Sequence, residues 1–465
     1  MTTSGTNTQP SSIHGIWSKR WTFILAASGS AVGLGNIWKF PYITGENGGS
    51  AFVLIYLICI LAIGIPIMIA ETMLGRRGRK SPILSMRDIA INSGASGYWQ
   101  LVGVMGTLAG IFILSYYSVI AGWALAYIPK VATGEFNGVS GAAANSIFGG
   151  EQGLLSDYKT LLFWHSLFTI VTVYVVARGI QAGLERAVRF LMPALIVLLL
   201  VLLGYSAMEG AFAEGARFLF AFDASKLSWN SALVALGHAF FTLSLGMGSI
   251  MAYGAYMPKE DSITKTITII ALLDTIIALV AGLVIFPLVF AHGLEPSAGP
   301  GLMFISLPLA FGHITGGQLF GALFFILVAF AAWTSAIALI EPGVAWLIER
   351  FSTTRRRAAI ILGSTAWVLG IGTVFSFNIW KEYKLLDTFT IFDGMDFLTS
   401  NIMLPLGGLL IALFVGWAMK PEIAEDELNM KNPALLPTWW FMLRYVAPAA
   451  VTVVLVMGIY DKFAG

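Results

Sequence analysis

The residues with the clearest chemical potential are two pairs of glycines inside long apolar segments. Gly33 and Gly35 interrupt the first apolar segment, and Gly246 and Gly248 interrupt the sixth, each near its middle. Glycine costs a helix about 1 kcal/mol relative to alanine, and unwound backbone in lipid needs partners in protein, water or ions. The glycine pairs therefore predict two helix breaks whose carbonyl and amide groups can bind a ligand. The simpler alternative is that they only permit close helix packing.

Asp274 is the second chemical signal, because it lies in an otherwise uncharged apolar run. A charge at the centre of a membrane helix costs about 2.5 to 3.5 kcal/mol, so we expect this carboxylate to have a partner. A hard cation such as sodium prefers oxygen ligands, which carbonyls, hydroxyls and a carboxylate supply. The alternative is a protonated, hydrogen-bonded aspartic acid with no role in ion binding.

The composition places these residues in a membrane protein. Of 465 residues, 57% are hydrophobic and 11% are charged, and apolar runs long enough to cross a bilayer recur along the whole chain. A net charge of +2 argues against a nucleic-acid partner. The single Cys59 allows neither an internal disulfide nor a thiolate metal site. Paired carboxylates, metal-spaced histidines and an activated serine are not visible, which argues against an intramembrane enzyme.

Apolar windows predict an all-α polytopic membrane protein with eleven helices. We expect them near residues 21–41, 51–74, 99–128, 160–177, 186–207, 229–256, 264–291, 317–349, 357–379, 390–418 and 436–460. Basic clusters at Lys19–Arg20, Arg76–Lys80 and Arg355–Arg357 put the N-terminus in the cytoplasm. Because the outer loops have no glycosylation sequon and no cysteine pair, a bacterial inner membrane is favoured over a eukaryotic cell surface.

The two breaks occupy matching places, in the first helix of each block of five. This pattern is typical of inverted-repeat transporters, whose binding site lies at the midplane between unwound helices. We therefore predict a 5+5 fold with broken helices 1 and 6 plus an eleventh helix. The predicted divisions are a cytoplasmic tail 1–20, a first repeat 21–207, an outer loop 208–228, a second repeat 229–418, a cytoplasmic loop 419–435 and a final helix with its outer tail, 436–465.

Several longer motifs, in order along essentially the whole chain, make this sequence resemble the neurotransmitter:sodium symporters. The motifs are GSAVGLGNIWKFP at 29–41, ENGG at 46–49, GIPIMIAETMLG at 64–75, the pair Tyr116–Tyr117, FFTLSLGMG at 240–248 and the pair Thr334–Ser335. The sequence is most similar to bacterial members that carry hydrophobic amino acids. The resemblance implies two bound sodium ions and an amino acid substrate, transported by alternating access.

The resemblance also implies which residues bind the ions. One sodium site would use the Ala31 carbonyl, Asn36, Thr242, Asp274 and the carboxylate of the substrate. The second would use backbone carbonyls and two hydroxyls, from Gly29, Val32, Ala331, Thr334 and Ser335. Chloride-dependent members have Asn where this chain has Asp274, and Ser where it has Ala278. We therefore expect transport without chloride.

For the substrate, the resemblance implies a carboxylate bound by the amides of Leu34 and Gly35 and by the Tyr117 hydroxyl. The amine would meet carbonyls of Ala31, Phe241, Thr242 and Ser244. The side chain would contact Ile113, Tyr117, Phe241, Ser244, Met247, Ser335 and Leu339. This mostly apolar set excludes substrates with charged side chains. Because Met247 is flexible, we expect substrates that range from Leu and Ile to Tyr, Phe and Trp. Because monoamine carriers have Asp where this chain has Gly33, amino acids are favoured over amines.

By the same resemblance, an outer gate would pair Lys39 with Asp396 beneath a lid of Phe241 and Tyr117, and Trp17 and Glu349 would form the inner gate. His14 stands where the family has an arginine partner for that acid. A neutral His would weaken the inner gate and make it sensitive to pH; Lys19 and Arg20 acting instead, or an ordinary solvated His14, are the alternatives.

Several other positions receive structural roles. Glu71 is expected to accept amides freed by the break in helix 6, and His238 is expected to be a buried, hydrogen-bonded histidine. Gly183 and Pro193, ten residues apart, permit local unwinding of helix 5. The acidic stretch 422–427 is most simply a solvated face.

The sequence therefore predicts a sodium-coupled symporter for hydrophobic amino acids, in contact with membrane lipid. A proton-coupled carrier of the same architecture, with Asp274 as the proton carrier, is the alternative. A channel is disfavoured by the two opposed breaks and by the lack of repeated pore-lining charges.

Overall fold

The computed structural model describes residues 17–296, 299, 301–430 and 434–463. Most of the predicted N-terminal tail, including His14, lies outside these residues. Within them the chain is all-α, and Leu385 and Phe389 form an isolated β-bridge. The prediction of an all-α polytopic membrane fold is confirmed.

Among the described residues, nine continuous helices are long and apolar enough to cross a membrane. Two further spans are broken, and they are the two that the glycine pairs predict. In chain order the spans are α1a (Arg20–Ala31) with α1b (Gly35–Lys39 and Phe40–Glu46), α2 (Ser50–Gly78), α3 (Gly97–Ala132), α4 (Tyr158–Ala177), α5 (Ile180–Glu209), α6a (Trp229–Thr242) with α6b (Ser249–Ala255), α7 (Ile263–Ala291), α8 (Gly317–Phe351), α9 (Arg355–Ser376), α10 (Ile391–Ala418) and α11 (Leu435–Tyr460).

Short helices connect several spans, and the apolar windows missed them. They are Pro82–Asn92, Gly141–Gly149, Phe212–Phe220, Leu302–Gly312 and Pro421–Leu428. Tertiary contacts hold them: at Phe212–Phe220, for example, the preceding Ala211 amide donates to the Pro287 carbonyl at 2.9 Å. Such contacts join residues far apart in sequence, so a window of neighbouring residues does not contain them.

The acidic stretch at 422–427 is only partly solvated, which corrects the prediction. Glu427 is buried and its carboxylate accepts from Arg76 at 2.8 Å, while the exposed Asp426 pairs with Arg77 at 2.6 Å. These ion pairs fasten the helix Pro421–Leu428 to the end of α2. The basic cluster that indicated membrane orientation thus also has a structural role.

A second buried ion pair joins four helices at the end of the bundle that carries Trp17. Arg355, the first residue of α9, forms two hydrogen bonds with Glu341 of α8, one of them 2.9 Å long. The Tyr256 hydroxyl, just after α6b, donates to the same carboxylate at 2.9 Å, and Arg355 Nε donates to the Val176 carbonyl of α4 at 2.8 Å. Because Glu341 is fully buried, removing its partner would cost about 3 to 5 kcal/mol. The sequence analysis did not identify this pair.

Helices α2 and α6b approach so closely that only glycine fits between them. A Cβ atom on Gly254 would lie 2.6 Å from the Thr72 carbonyl oxygen, and one on Gly75 would overlap the Met251 carbonyl. This contact fixes the position of α6b directly after its break, and so it fixes one wall of the central site.

We expect Gly254→Ala to destabilise the protein by about 1 to 3 kcal/mol, because the added methyl group forces backbone to move. Gly204→Ala is the matched control, since a Cβ on Gly204 meets nothing within 4 Å. Thermal unfolding in detergent, followed by tryptophan fluorescence, measures both variants. Equal melting temperatures for the two variants would contradict the packing argument.

Candidate functional site

The break in α1 exposes backbone groups on both sides of Gly33. Val32 is extended (φ −73°, ψ 103°) and ends α1a. The Gly33 amide donates to Asn36 Oδ1 at 3.0 Å, and the Leu34 amide donates to the Tyr117 hydroxyl at 3.1 Å. Side chains therefore satisfy the amides of the break, as a buried chain requires.

The break in α6 runs from the end of α6a at Thr242 to the start of α6b at Ser249. Ser244, Gly246 and Gly248 all have positive φ, of 55°, 77° and 75°. This left-handed backbone favours glycine, which explains both glycines of the motif. Ser244 also adopts this left-handed conformation. Its hydroxyl donates to the Ser30 carbonyl at 2.9 Å, and this hydrogen bond connects the α6 break to the end of α1a.

Glu71 holds the α6 break from the side of α2. Its carboxylate is fully buried, and Oε1 accepts from the Gly246 amide at 2.7 Å. Among the described residues Oε2 has no hydrogen-bond partner. Glu71 therefore accepts a backbone amide that the α6 break releases, which is the role expected of it.

Asp274 lies where α7 meets both breaks. Its carboxylate accepts from Asn36 Nδ2 at 2.7 Å, from the Thr242 hydroxyl at 3.0 and 3.2 Å and, more weakly, from the Tyr56 hydroxyl at 3.4 Å. Asp274, Asn36 and Thr242 are fully buried. Within the described part of the chain, no Lys, Arg or His nitrogen lies within 4.0 Å of this carboxylate. The three polar residues proposed for the first sodium site are therefore together, and their acid has only neutral donors.

The residues proposed for the second sodium site also meet, between α1a and α8. The Thr334 hydroxyl lies 2.9 Å from the Ala331 carbonyl oxygen and 3.4 Å from that of Val32. The Ser335 hydroxyl lies 3.3 Å from the Gly29 carbonyl oxygen and 3.2 Å from that of Ser30. The Ser30 carbonyl is an addition to the predicted set, and no feature of its side chain could have revealed it. Two hydroxyls and four carbonyls thus form a cluster of hard oxygen ligands without a carboxylate.

A small cavity lies between the two breaks and has a free volume of about 20 Å³, which is room for about one water molecule. Its lining is Ser30, Ala31, Gly33, Gly35, Ile113, Tyr117, Phe241, Ser244, Met247, Ser335 and Leu339. None of these side chains carries a charge.

The cavity contains most of the residues predicted to bind substrate, and two of those predictions fall outside it. Leu34 and Thr242 are not among its lining residues. The Leu34 amide donates to the Tyr117 hydroxyl, which does line the cavity, and the Thr242 hydroxyl donates to Asp274. Ser30 and Gly33 are additional lining residues. A Cβ on Gly33 would lie 2.7 Å from the Tyr117 hydroxyl, so the absence of a side chain there keeps the cavity open.

The cavity is closed on one side by the predicted outer gate. Lys39 Nζ lies 3.9 Å from Asp396 Oδ1 and 4.5 Å from the centre of the Phe241 ring. Asp396 Oδ1 also accepts from the Ser400 hydroxyl at 2.8 Å and the Tyr116 hydroxyl at 3.3 Å. Lys39 and Asp396 line a larger vestibule beyond this barrier. The long Lys39–Asp396 distance agrees with the expectation that lysine forms a looser contact than arginine.

His238 lines the same vestibule, and it is not the hydrogen-bonded histidine that we expected. The side chain is buried, but within the described residues neither ring nitrogen has a hydrogen-bond partner. Instead its ring packs against Phe40, Phe52 and Tyr56, with centroids 5.4 to 6.5 Å apart. Aromatic packing, which the sequence pattern does not reveal, explains its burial.

On the opposite side Trp17 closes the bundle. Its backbone amide donates to the Tyr256 carbonyl at 3.1 Å and its indole to the Tyr253 carbonyl at 3.3 Å, with edge-on ring contacts to both tyrosines. The Glu349 carboxylate accepts from the Ser81 amide at 2.8 and 3.0 Å. Glu349 therefore fixes the start of the helix Pro82–Asn92. Trp17 has the packing expected of an inner gate. Glu349 lies near the C-terminal end of α8, and its pairing with Trp17 in that gate stays a prediction.

A contact that the sequence analysis missed attaches α1a to α5. Glu185 is buried and accepts from the Ser18 amide at 3.4 Å, from the Ser18 hydroxyl and from the Thr22 hydroxyl at 3.4 Å. Arg189 forms an ion pair with Glu185 and donates to the Ser18 hydroxyl at 2.8 Å. The spacing of Glu185 and Arg189, one helical turn apart, was the available signal.

Helix α5 runs without interruption from Ile180 to Glu209. Its first residues, Ile180–Glu185, form a π-helical turn, and the helix continues through Pro193. Unwinding between Gly183 and Pro193 is thus not a feature of this structure, and it stays a prediction.

Comparisons with known proteins agree with this geometry. The profile of the sodium:neurotransmitter symporter family matches residues 14–140 and 156–463. YhdH of Bacillus subtilis (strain 168), described as an uncharacterised sodium-dependent transporter, is 37% identical over 441 residues, covering 94% of this chain and 96% of the relative. A similarly described transporter of Haemophilus influenzae is 34% identical over 450 residues, covering 96% and 98%.

Among solved structures, the crystal structure of MhsT in complex with L-phenylalanine is similar to this chain, with a TM-score of 0.88 and 43% identity. The match covers 96% of this chain and 99% of that one. The fold prediction with broken helices 1 and 6 is confirmed by this likeness.

We expect Glu71→Ala to lower the melting temperature, because it leaves the buried Gly246 amide without an acceptor, at a cost of about 1 to 3 kcal/mol. Glu71→Gln keeps an acceptor oxygen for the Gly246 amide, so its melting temperature should fall less. Thermal unfolding in detergent compares both variants with Glu422→Ala, which removes an exposed acid. Wild-type stability in Glu71→Ala would rule out this role.

Proposed function

Because this chain belongs to the sodium:neurotransmitter symporter family, we propose that it imports hydrophobic L-amino acids, aliphatic and aromatic, together with sodium ions. The chain is a multi-pass membrane transporter. The observation that carries the proposal is the small uncharged cavity between two broken helices, flanked by two clusters of oxygen ligands. The apolar lining suits an apolar substrate side chain once the cavity widens around it. Backbone carbonyls beside the cavity would accept hydrogen bonds from the substrate amine, and backbone amides would donate to its carboxylate.

The first sodium ion would bind at Asp274, with oxygens from Asn36, Thr242 and Ala31. Each carbonyl and hydroxyl oxygen has a lone pair beyond its present hydrogen bond, and the buried carboxylate has no cation among the described residues. Ala31 lies at the wall of the cavity. The substrate carboxylate is therefore close enough in the fold to complete this site and to couple ion binding to substrate binding.

The second sodium ion would bind at the hydroxyls of Thr334 and Ser335 and at the carbonyls of Gly29, Val32 and Ala331. These groups belong to α1a and α8, so a cation between them would hold the two helices together. An all-oxygen neutral site suits sodium, which is a hard cation of single charge. This binding would order the end of α1a before the substrate arrives.

The amino acid range follows from the cavity wall. Ile113, Phe241, Met247 and Leu339 provide apolar surface, and no lining side chain carries a charge. Charged substrates would therefore lose their hydration without a partner. Met247 has three rotatable bonds and adapts to side chains of different size. Support also comes from MhsT, whose structure contains L-phenylalanine.

Alternating access would use the two barriers around the cavity. Lys39, Asp396 and Phe241 separate it from the vestibule, and Trp17 seals the other end. Trp17 would lie at the cytoplasmic face, the side that the basic clusters favour, and the membrane would be a bacterial inner membrane. Both barriers include residues on or beside α1, so movement of its two halves about the break at Gly33 would open one side at a time.

Uptake into proteoliposomes tests the function. We expect radiolabelled leucine and tryptophan to accumulate with an inward sodium gradient, and to stop when potassium or choline replaces sodium. Unlabelled Phe, Tyr and Ile should compete, whereas Lys and Glu should not. Uptake that persists without sodium but collapses with the pH gradient would instead support the proton-coupled carrier. Competition only by glycine, proline or an amine would refute the substrate range.

The Asp274 carboxylate should make transport independent of chloride, because it supplies the negative charge beside the first sodium site. We expect Asp274→Asn to lose most uptake in chloride-free buffer, since the neutral amide pairs poorly with sodium in a buried site. Replacing chloride by gluconate should leave the wild type unchanged. Full, chloride-insensitive activity of Asp274→Asn would contradict this role.

Glu185 should hold α1a closed at the inner side. We expect Glu185→Ala to increase hydrogen exchange in the peptide 17–31 and to lower the sodium affinity of uptake, because Ser18 and Thr22 lose their shared acceptor. Glu209→Gln, at the other end of α5, is the control because it is exposed. Unchanged exchange in Glu185→Ala would mean that this contact does not hold the helix.

A further inference from the structure

A groove on the outside of the bundle, between α4 and α9, is separate from the transport path. It has a free volume of about 500 Å³. Its apolar wall includes Ile170, Tyr174 and Ile360, which are 64%, 56% and 46% exposed. Because both helices span the membrane, this groove faces the lipid phase.

The floor of the groove suits a hydrocarbon chain. Gly363 of α9 brings the two helices into direct contact, since a Cβ there would lie 3.5 Å from Val173 Cβ, and closer still to a methyl group of that side chain. The Trp367 indole donates to the Ser166 hydroxyl at 2.9 Å, and the Thr169 hydroxyl donates to the His165 carbonyl at 2.9 Å. These polar groups of the floor are thus already paired, and an apolar occupant would leave them satisfied.

Two exposed arginines flank one end of the groove. Arg356 lines it directly, and the Arg178 guanidinium lies 4.6 Å from the ring centre of Tyr174. Both arginines are exposed, and neither has a carboxylate within 4.0 Å among the described residues. The bond from Arg355 Nε to the Val176 carbonyl brings the end of α4 to the start of α9, so Arg178 and Arg356 belong to the same end of the groove.

We propose that this groove binds an anionic phospholipid, with the phosphate between Arg178 and Arg356 and one acyl chain along Ile170, Val173 and Ile360. Paired guanidinium groups at a helix end form a site for a phosphate group, and the apolar groove begins beside them. A zwitterionic lipid would fit the groove but would leave net positive charge beside its own ammonium group. A second protein chain would need a carboxylate at the membrane surface to pair with these arginines and an apolar segment to fill the groove.

Lipid binding to the purified full-length protein tests the proposal. We expect native mass spectrometry in detergent to detect phosphatidylglycerol bound in preference to phosphatidylcholine of the same chain length. The double variant R178Q/R356Q should bind phosphatidylglycerol about 25-fold more weakly, since each arginine contributes roughly a fivefold factor toward an anionic headgroup. The control K265Q/R350Q removes two exposed charges from the same end of the bundle and should retain binding, because neither residue lines the groove.

Two further measurements separate the contribution of the acyl chain to lipid binding from that of the headgroup. Inorganic phosphate should not displace the lipid, because it lacks the acyl chain, and I170Q/I360Q should weaken lipid binding while leaving both arginines in place. Equal binding of the two lipids by the wild type, or equal loss in both arginine variants, would overturn the proposal. Conversion of a dimer to a monomer by R178Q/R356Q, without a change in bound lipid, would assign the groove to a second copy of the chain and would also overturn it.

Discussion

The constraint on which this structure depends is that backbone groups released inside a membrane must be bonded to something. Two spans are unwound at their centres, and several of the freed groups have nearby partners. Glu71 accepts from Gly246, the Tyr117 hydroxyl from Leu34, and the Ser244 hydroxyl donates to Ser30 across the two breaks. The breaks are therefore stable because α2, α3 and α8 surround them. The same polar groups make the region suitable for ions and for the ends of an amino acid.

A buried acid with neutral donors adds an electrostatic requirement to this arrangement. Asp274 receives hydrogen bonds from Asn36, Thr242 and Tyr56, and these donors only partly replace the hydration that a carboxylate loses on burial. A monovalent cation at this position would neutralise the charge. Sodium binding would then favour the ordered form of the two breaks and the binding of a substrate carboxylate. Each of these events would stabilise the others, and this mutual stabilisation would couple the ion to the substrate.

The first helix connects the two ends of the transport path. Its outer half carries Lys39, which lies over Phe241, and its inner half follows Trp17, which packs on Tyr253 and Tyr256. Those tyrosines adjoin the buried pair Glu341–Arg355 through the Tyr256 hydroxyl. Between the halves lies the break that contributes to the cavity and to both oxygen clusters. A change at the central site can therefore reach either barrier through one short, interrupted helix.

The sequence by itself determined the features that depend on neighbouring residues. Apolar runs of bilayer length predicted the spans, and glycines spaced two apart predicted the breaks, because helix propensity and hydropathy are local properties. An isolated charge in an apolar run identified Asp274, and family motifs identified Thr334 and Ser335. The structure brings each of them to its expected neighbours.

Only the tertiary structure decided which distant groups meet. Glu185 binds Ser18 across 167 positions, and Arg76 binds Glu427 across 351. The Ser30 carbonyl belongs to the second oxygen cluster, which the identity of its side chain does not predict. It also decided that His238 packs among aromatic rings instead of forming hydrogen bonds. Such contacts depend on how helices pack against one another, and packing is set by the shapes of whole surfaces, whereas a local pattern describes only one surface at a time.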